Sequence, residues 1–238
     1  VSPGGGPRDA ATWVAPDPSP WLVRTCAAGL AAFVALLAAA VARYPGGTWF
    51  DPRAPGHSFW KNFLCDLFQR RALNGADNRA SAAFATAGAV AMLLALAAFF
   101  ALVARLEGDA SRAGRVTRRA GLLASLAGLG VPLTPSDEGR ALHLTAVLVA
   151  CAPALAAVIA AARVCARVGG SRAARVFSRA TLAFGATDLA AYATAYALPF
   201  RVRWLNELLP VFQRLALLSL VGWMLAVLAA LPPRRRRG

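Results

Sequence analysis

"ASAAFATAGAVAMLLALAAFFALVA", residues 80–104, runs through 25 positions without a charged side chain. A helix needs about 20 apolar residues to cross a hydrocarbon core about 30 Å thick, so this stretch reads as a membrane span. Working outward from it, runs of the same kind occupy 21–42, 141–162, 180–200 and 211–231. The apolar run 120–133, "AGLLASLAGLGVPL", is shorter and contains Gly128, Gly130 and Pro132. By length alone it would be re-entrant or interfacial.

Charge placement decides in favour of spanning. With six spans, the N-terminal part, the stretches 105–119 and 163–179 and the terminal "RRRR" share one side of the membrane, and that side then holds sixteen of the 26 basic residues. A five-span chain would put the two Arg-rich links on opposite sides. Cytoplasmic loops collect Lys and Arg, so both termini are expected in the cytoplasm, with the third span at about 117–133. The expected fold is all-α, a polytopic bundle of six transmembrane helices. Residues 1–20, rich in Gly and Pro, read as a disordered tail, and 232–238 as a basic cytoplasmic tail. The run ending at Ala40–Ala42 is too long for the roughly 7–15 residue core of a cleaved signal.

Composition agrees. The chain is 58% hydrophobic with a mean hydropathy of +0.52, above the roughly 45–50% of soluble domains. Its net charge of +15 comes from Arg clusters between apolar runs, without a basic face interleaved with aromatics, so no nucleic-acid partner is expected. Cys26, Cys65, Cys151 and Cys165 show no C-x-x-C spacing, and only Cys65 falls on the outer side. Neither an outer disulfide nor a thiolate zinc site follows, and no cofactor is expected. Ala120, Ala124 and Gly128, with Gly121 and Ser125, recur at spacings that let helix backbones approach. Trp21, Trp49, Trp60 and Trp204 fall near the expected interfaces.

The first outer loop, 43–79, is far longer than an ordinary helix connection. From Ser58, a good N-cap, the apolar residues Phe59, Trp60, Phe63, Leu64, Leu67 and Phe68 repeat with a helical period. The spacing predicts an extra amphipathic helix over 58–71, with Lys61, Asn62, Cys65, Asp66, Gln69 and Arg70 on its polar face. That face looks either to water, above an interfacial helix, or inward over the mouth of the bundle.

Both histidines, His57 and His143, fall at the outer boundary, where an imidazole suits proton transfer. "TPSDEGRALH", 134–143, reads as a helix start capped through Asp137, with Ser136, Arg140 and His143 on one side. Asn206 and Glu207 fall in the loop before the last span. Inside spans, Arg24, Asp188 and Arg214 are charged, which costs at least about 2.5–3.5 kcal/mol near the bilayer centre. Depth pairs Arg24 with Asp188 as a structural ion pair. Asp188, Tyr192 and Tyr196 form a polar stripe, and Arg214 is left to meet Glu207, Asp66 or Asp137. Catalytic candidates are therefore His57, Asp66 and His143; ligand-binding candidates are Lys61, Asn62, Glu207 and Arg214. The histidines are too few for a three-His metal site, and no metal is expected.

"YPGG", "HSFWKNFLCDL", "ALNGADN" and "SDEGRALH" together resemble the prokaryotic membrane family called domain of unknown function 998, which is similar to FRAG/DRAM/SFK-like membrane proteins. The resemblance implies this six-span topology, a bacterial or archaeal plasma membrane and a connection to lipids. It carries over Asp66, while Cys65 and Phe68 stand where the family pattern has Ser and Gly. Three functions follow as expectations: a protein that binds or handles a membrane lipid, such as an anionic lipid or other amphiphile, at an outer polar mouth; an outer-leaflet lipid-modifying enzyme using His and Asp; or a proton-coupled transporter using Asp188.

Overall fold

The computed structural model describes residues 19–108, 111–197 and 203–231. Both expected tails lie outside these, apart from Ser19 and Pro20. The long regular elements among the described residues are all α-helices: α1 (Pro20–Arg43), α2 (Arg79–Leu106), α3 (Arg112–Gly128), the single turn α4 (Gly130–Leu133), α5 (Arg140–Arg167), α6 (Arg172–Ala197) and α7 (Arg203–Ala229). Pro20 opens α1 at a position where its missing N–H costs nothing. The hydroxyl of Ser111 caps α3 by accepting from the Gly114 N–H at 2.8 Å. Four helices, α1, α2, α5 and α7, are long and apolar enough to cross a membrane.

The third expected span is α3 followed by α4. The helix breaks at Leu129, where Gly128, Gly130 and Pro132 weaken its continuation. The last helix starts earlier than expected, at Arg203, so Asn206 and Glu207 sit within its first turns and not in a loop.

The helices associate as three intimate pairs, α1 with α2, α3 with α5 and α6 with α7; α2 also packs on α3, and α5 meets α6 along a thinner seam. The densest core gathers at the end of the bundle that carries the start of α1 and the ends of α2, α5 and α7. Leu22, Cys26, Phe99, Leu102, Val164, Trp223 and Met224 meet there. Glycine makes the tight crossings possible. A Cβ built on Gly29 would stand 2.8 Å from the Ala91 carbonyl oxygen, and one on Gly121 2.4 Å from the Phe100 side chain. The small-residue spacing read in α3 is thus used where α3 meets α2.

The opposite end is covered by residues 44–78, and these do not form the predicted helix. Only a 3-10 turn, Leu64–Phe68, is helical. The reason is local competition between side chains and backbone. Asn62 Oδ1 accepts from the Ser58 N–H at 2.9 Å, and Asp66 Oδ2 accepts from the Phe63 N–H at 2.8 Å. Short polar side chains here take backbone donors and hold the chain in successive turns. The helical period of the apolar residues is real, but these bonds prevail over it.

Candidate functional site

The covering segment is built around two buried polar side chains. Asn62 is 0% exposed and Asp66 1%. Besides its bond to Ser58, Asn62 donates through Nδ2 to the Gly47 carbonyl at 2.9 Å and to Asp66 Oδ2 at 3.1 Å. Trp49 Nε1 donates to Asp66 Oδ1 at 3.1 Å. Gly47 has φ +91°, and a Cβ there would stand 2.5 Å from the Asn74 nitrogen, so "YPGG" provides a close crossing of backbones under this network. Burial pushes the Asp66 carboxyl up to about 6, against the opposing effect of its three hydrogen bonds and the Arg214 charge.

Arg214 holds the segment from below. It is 0% exposed, donating through one guanidinium nitrogen to the Asn62 carbonyl at 2.7 Å and through another to Gln213 Oε1 at 2.7 Å. Gln213 Oε1 also accepts from the Leu64 N–H at 2.8 Å, and the guanidinium lies 5.2 Å from the centre of the Phe59 ring. Two of the three guanidinium nitrogens of Arg214 are committed to covering-loop backbone and to Gln213, which gives it a positioning role in place of the expected ligand role; its buried Nε has no hydrogen-bond partner among the described residues.

A third anchor comes from the turn before α5. Asp137 Oδ2 accepts from the N–H groups of Arg70 and Arg71 at 2.9 and 3.1 Å, Gln69 Nε2 donates to Ser136 Oγ at 2.9 Å, and Arg70 pairs with Glu138. Asp137 is therefore a clasp between two loops and not the helix cap its spacing suggested; Gly139 occupies the N-cap of α5. His143 is 4% exposed, and its Nδ1 lies 2.7 Å from the Thr134 carbonyl oxygen, which requires the proton on Nδ1.

Beneath the cover lies a cavity of about 1570 Å³. Its roof includes Lys61, Phe63, Cys65, Asp66 and Gln69; its rim includes Asp137, Arg140 and His143; its walls come from α2, α3, α5, α6 and α7. The walls are mostly apolar, with Leu93, Leu96, Val158, Leu182, Leu217 and Leu220 among them. Within them stand Asp188 and Tyr192 of α6 and Cys151 of α5.

The expected catalytic trio is not assembled as one unit. Asp66 and His143 reach the cavity, but His57 does not line it. The His57 ring packs edge-on against Tyr44, 5.4 Å between centres. Burial, and after it the charge of Arg214, push the imidazole down to about 4, partly offset by the Phe63 backbone. Burial and then the Asp66 charge push the Cys65 thiol up to about 12, which favours its neutral form. Among the described residues no three His, Cys, Asp or Glu side chains gather as a metal would need.

Of the expected ligand-binding residues, Lys61 lines the cavity and is exposed, Asn62 is locked in the roof, and Glu207 is exposed on the first turns of α7. The Arg24–Asp188 pair is not formed among the described residues: Arg24 is exposed on α1, whereas Asp188 faces the cavity from α6. Depth along separate helices placed the two at compatible heights, but α1 and α6 are not packed neighbours. The Tyr192 part of the polar stripe reaches the cavity; the Tyr196 side chain lies outside the described residues. Sequence reasoning gave Trp49 only an interfacial place and passed over Gln213 and Gly185. The last lies on the cavity wall, where an added Cβ would meet nothing within 4 Å. Compared with protein-family models, curated proteins and solved structures, the chain matches none of them.

Proposed function

We propose that the chain is a six-span membrane protein that binds a lipid or other amphiphile, apolar part in the bundle and polar part beneath the covering loop. The observation that carries this reading is the cavity itself. At about 1570 Å³ it exceeds the roughly 300–1,000 Å³ of pockets for drug-sized ligands. Its charged groups lie at the loop end and at Asp188 of α6, and three of its five wall helices, α2, α5 and α7, are, like α1, long and apolar enough to cross a membrane. α3 with α4, and α6, supply the other two spans. The Arg-rich links 105–119 and 163–179 then lie at the same end as the N-terminus of α1, as the six-span arrangement requires.

Catalysis fits the same geometry less well. An acid–base pair needs two groups within reach of one reacting atom, but His57 stands away from the cavity and the Asp66 oxygens already accept three hydrogen bonds. These features support Asp66 as a positioning residue that keeps the roof in shape.

Gly185→Trp tests the reading without disturbing packing, because the new side chain grows into open space. Purified from membranes in mild detergent, wild type and Gly185→Ala are expected to retain a lipid or amphiphile detectable by native mass spectrometry, and Gly185→Trp to lose it. Equal retention by all three would show that any bound lipid sits outside the cavity, and the reading would be wrong.

A further inference from the structure

Resting on the amphiphile reading, we propose that the cavity selects amphiphiles bearing a cationic amine or ammonium group, held by the Asp188 carboxylate. The basic residues that line the cavity, Lys61, Arg71 and Arg140, are all exposed at its loop end, where water screens them. Asp66 and Asp137 are committed to holding the roof. Asp188 stands apart from both groups, nine residues and hence about 14 Å before the end of α6, on an otherwise apolar wall.

A carboxylate at such depth is costly unless a cation or hydrogen-bond donors meet it. No salt bridge reaches Asp188 among the described residues. The Arg214 charge acts on Asp188 through space, without an ion pair between them. Arg214, however, directs its two terminal nitrogens to the Asn62 carbonyl and Gln213, makes no hydrogen bond to Asp188, and is not among the residues that line the cavity. The carboxylate is thus left to whatever enters the cavity.

The surrounding side chains suit an organic cation. Tyr192 lies one turn further along the same face of α6, and Cys151 of α5 and Cys65 of the roof are within electrostatic reach of Asp188. An ammonium group there gains the carboxylate charge in a partly desolvated place, with an aromatic ring beside it. Towards the other end of the cavity, Leu182, Leu217, Leu220 and Val158 offer an apolar wall for the chain. Gly185, one turn before Asp188, leaves room for that chain to pass the helix.

Three probes with the same tail separate the alternatives: dodecyltrimethylammonium, dodecanol and dodecyl sulfate. Each is titrated against the full chain in nonionic detergent and followed by native mass spectrometry. Wild type is expected to bind the ammonium probe about tenfold better than dodecanol, the equivalent of one modest ion pair. Asp188→Asn should lose that preference while binding dodecanol as before, and Asp188→Glu should keep it. Dodecanol binding without an ammonium preference, a preference that survives Asp188→Asn, or strongest binding of dodecyl sulfate would each overturn the assignment while leaving the amphiphile cavity intact. Absence of binding by all three probes in wild type would overturn both.

Discussion

The packed helix crossings and the cavity wall use the same small residue for opposite purposes. At the end with the Arg-rich links, glycine brings helices together: a Cβ on Gly29 would crowd the Ala91 backbone, and one on Gly222 would stand 2.6 Å from the Phe177 ring. Beneath the covered end, on the cavity wall midway along α6, Gly185 leaves space instead, while Gly47 in the cover is again a close crossing. The first end is held by apolar contact, the second by hydrogen bonds from Asn62, Asp66, Asp137, Gln213 and Arg214 around a hollow. A helix bundle can therefore be solid where it needs only to stand and hollow where polar bonds can carry the roof.

The sharpest way to break this contrast is at the roof. Asn62→Ala leaves the Ser58 N–H and the Gly47 carbonyl without their partner and takes one of two donors from Asp66 Oδ2. At about 1–3 kcal/mol for each buried group left unsatisfied, the loss should reach about 3 kcal/mol. Thermal unfolding, with hydrogen exchange of residues 44–78 as the local readout, measures it. An effect within experimental error would mean that the hydrogen-bonded network does not hold the cover.

Next in size is a pair of glycine variants. Gly29→Val should destabilise by about 1–3 kcal/mol through overpacking, because the obstructing atom belongs to the backbone. Gly185→Leu should not destabilise, since a Cβ there meets nothing within 4 Å and Leu is the better helix former. Similar unfolding midpoints for the two would erase the distinction between the solid and hollow ends.

The smallest effect sharpens the electrostatics of the roof. His57 is pushed from 6.5 down to about 4, so between those values the unfolded chain binds more protons there and stability rises with pH. Asp66 is pushed from 3.8 up to about 6, so across that interval the folded chain binds more protons and stability falls with pH. The two slopes oppose one another between pH 4 and pH 6. His57→Gln should expose the Asp66 slope, a loss of up to about 1.4 kcal/mol per pH unit as pH rises through that window. Unfolding midpoints at pH 4, 5, 6 and 7 test this, and identical profiles for wild type and His57→Gln would contradict it.

How much was legible depended on whether the cause was local. The helices could be read because length and apolar content are properties of a contiguous stretch: α1, α2, α5 and α7 lie where the runs predicted. The close approach of α3 was visible in its small-residue spacing. The helix expected over 58–71 failed because periodicity records which residues are apolar, while the conformation there follows from where Asn62 and Asp66 find donors. Asp137 was placed in the right region and given the wrong partner, because the amides of Arg70 and Arg71 are 67 and 66 residues away in the chain.

By itself the sequence determined an α-helical chain with membrane-length apolar segments, Arg-rich links and a long polar loop, since each depends on composition within a short window. Only the tertiary structure decided that Arg214 supports the roof, that Arg24 and Asp188 stand apart, and that Gly185 and Asp188 face one hollow. The physical reason is that a buried polar group must be met by some partner, and which one is fixed by helix packing, not by distance along the chain.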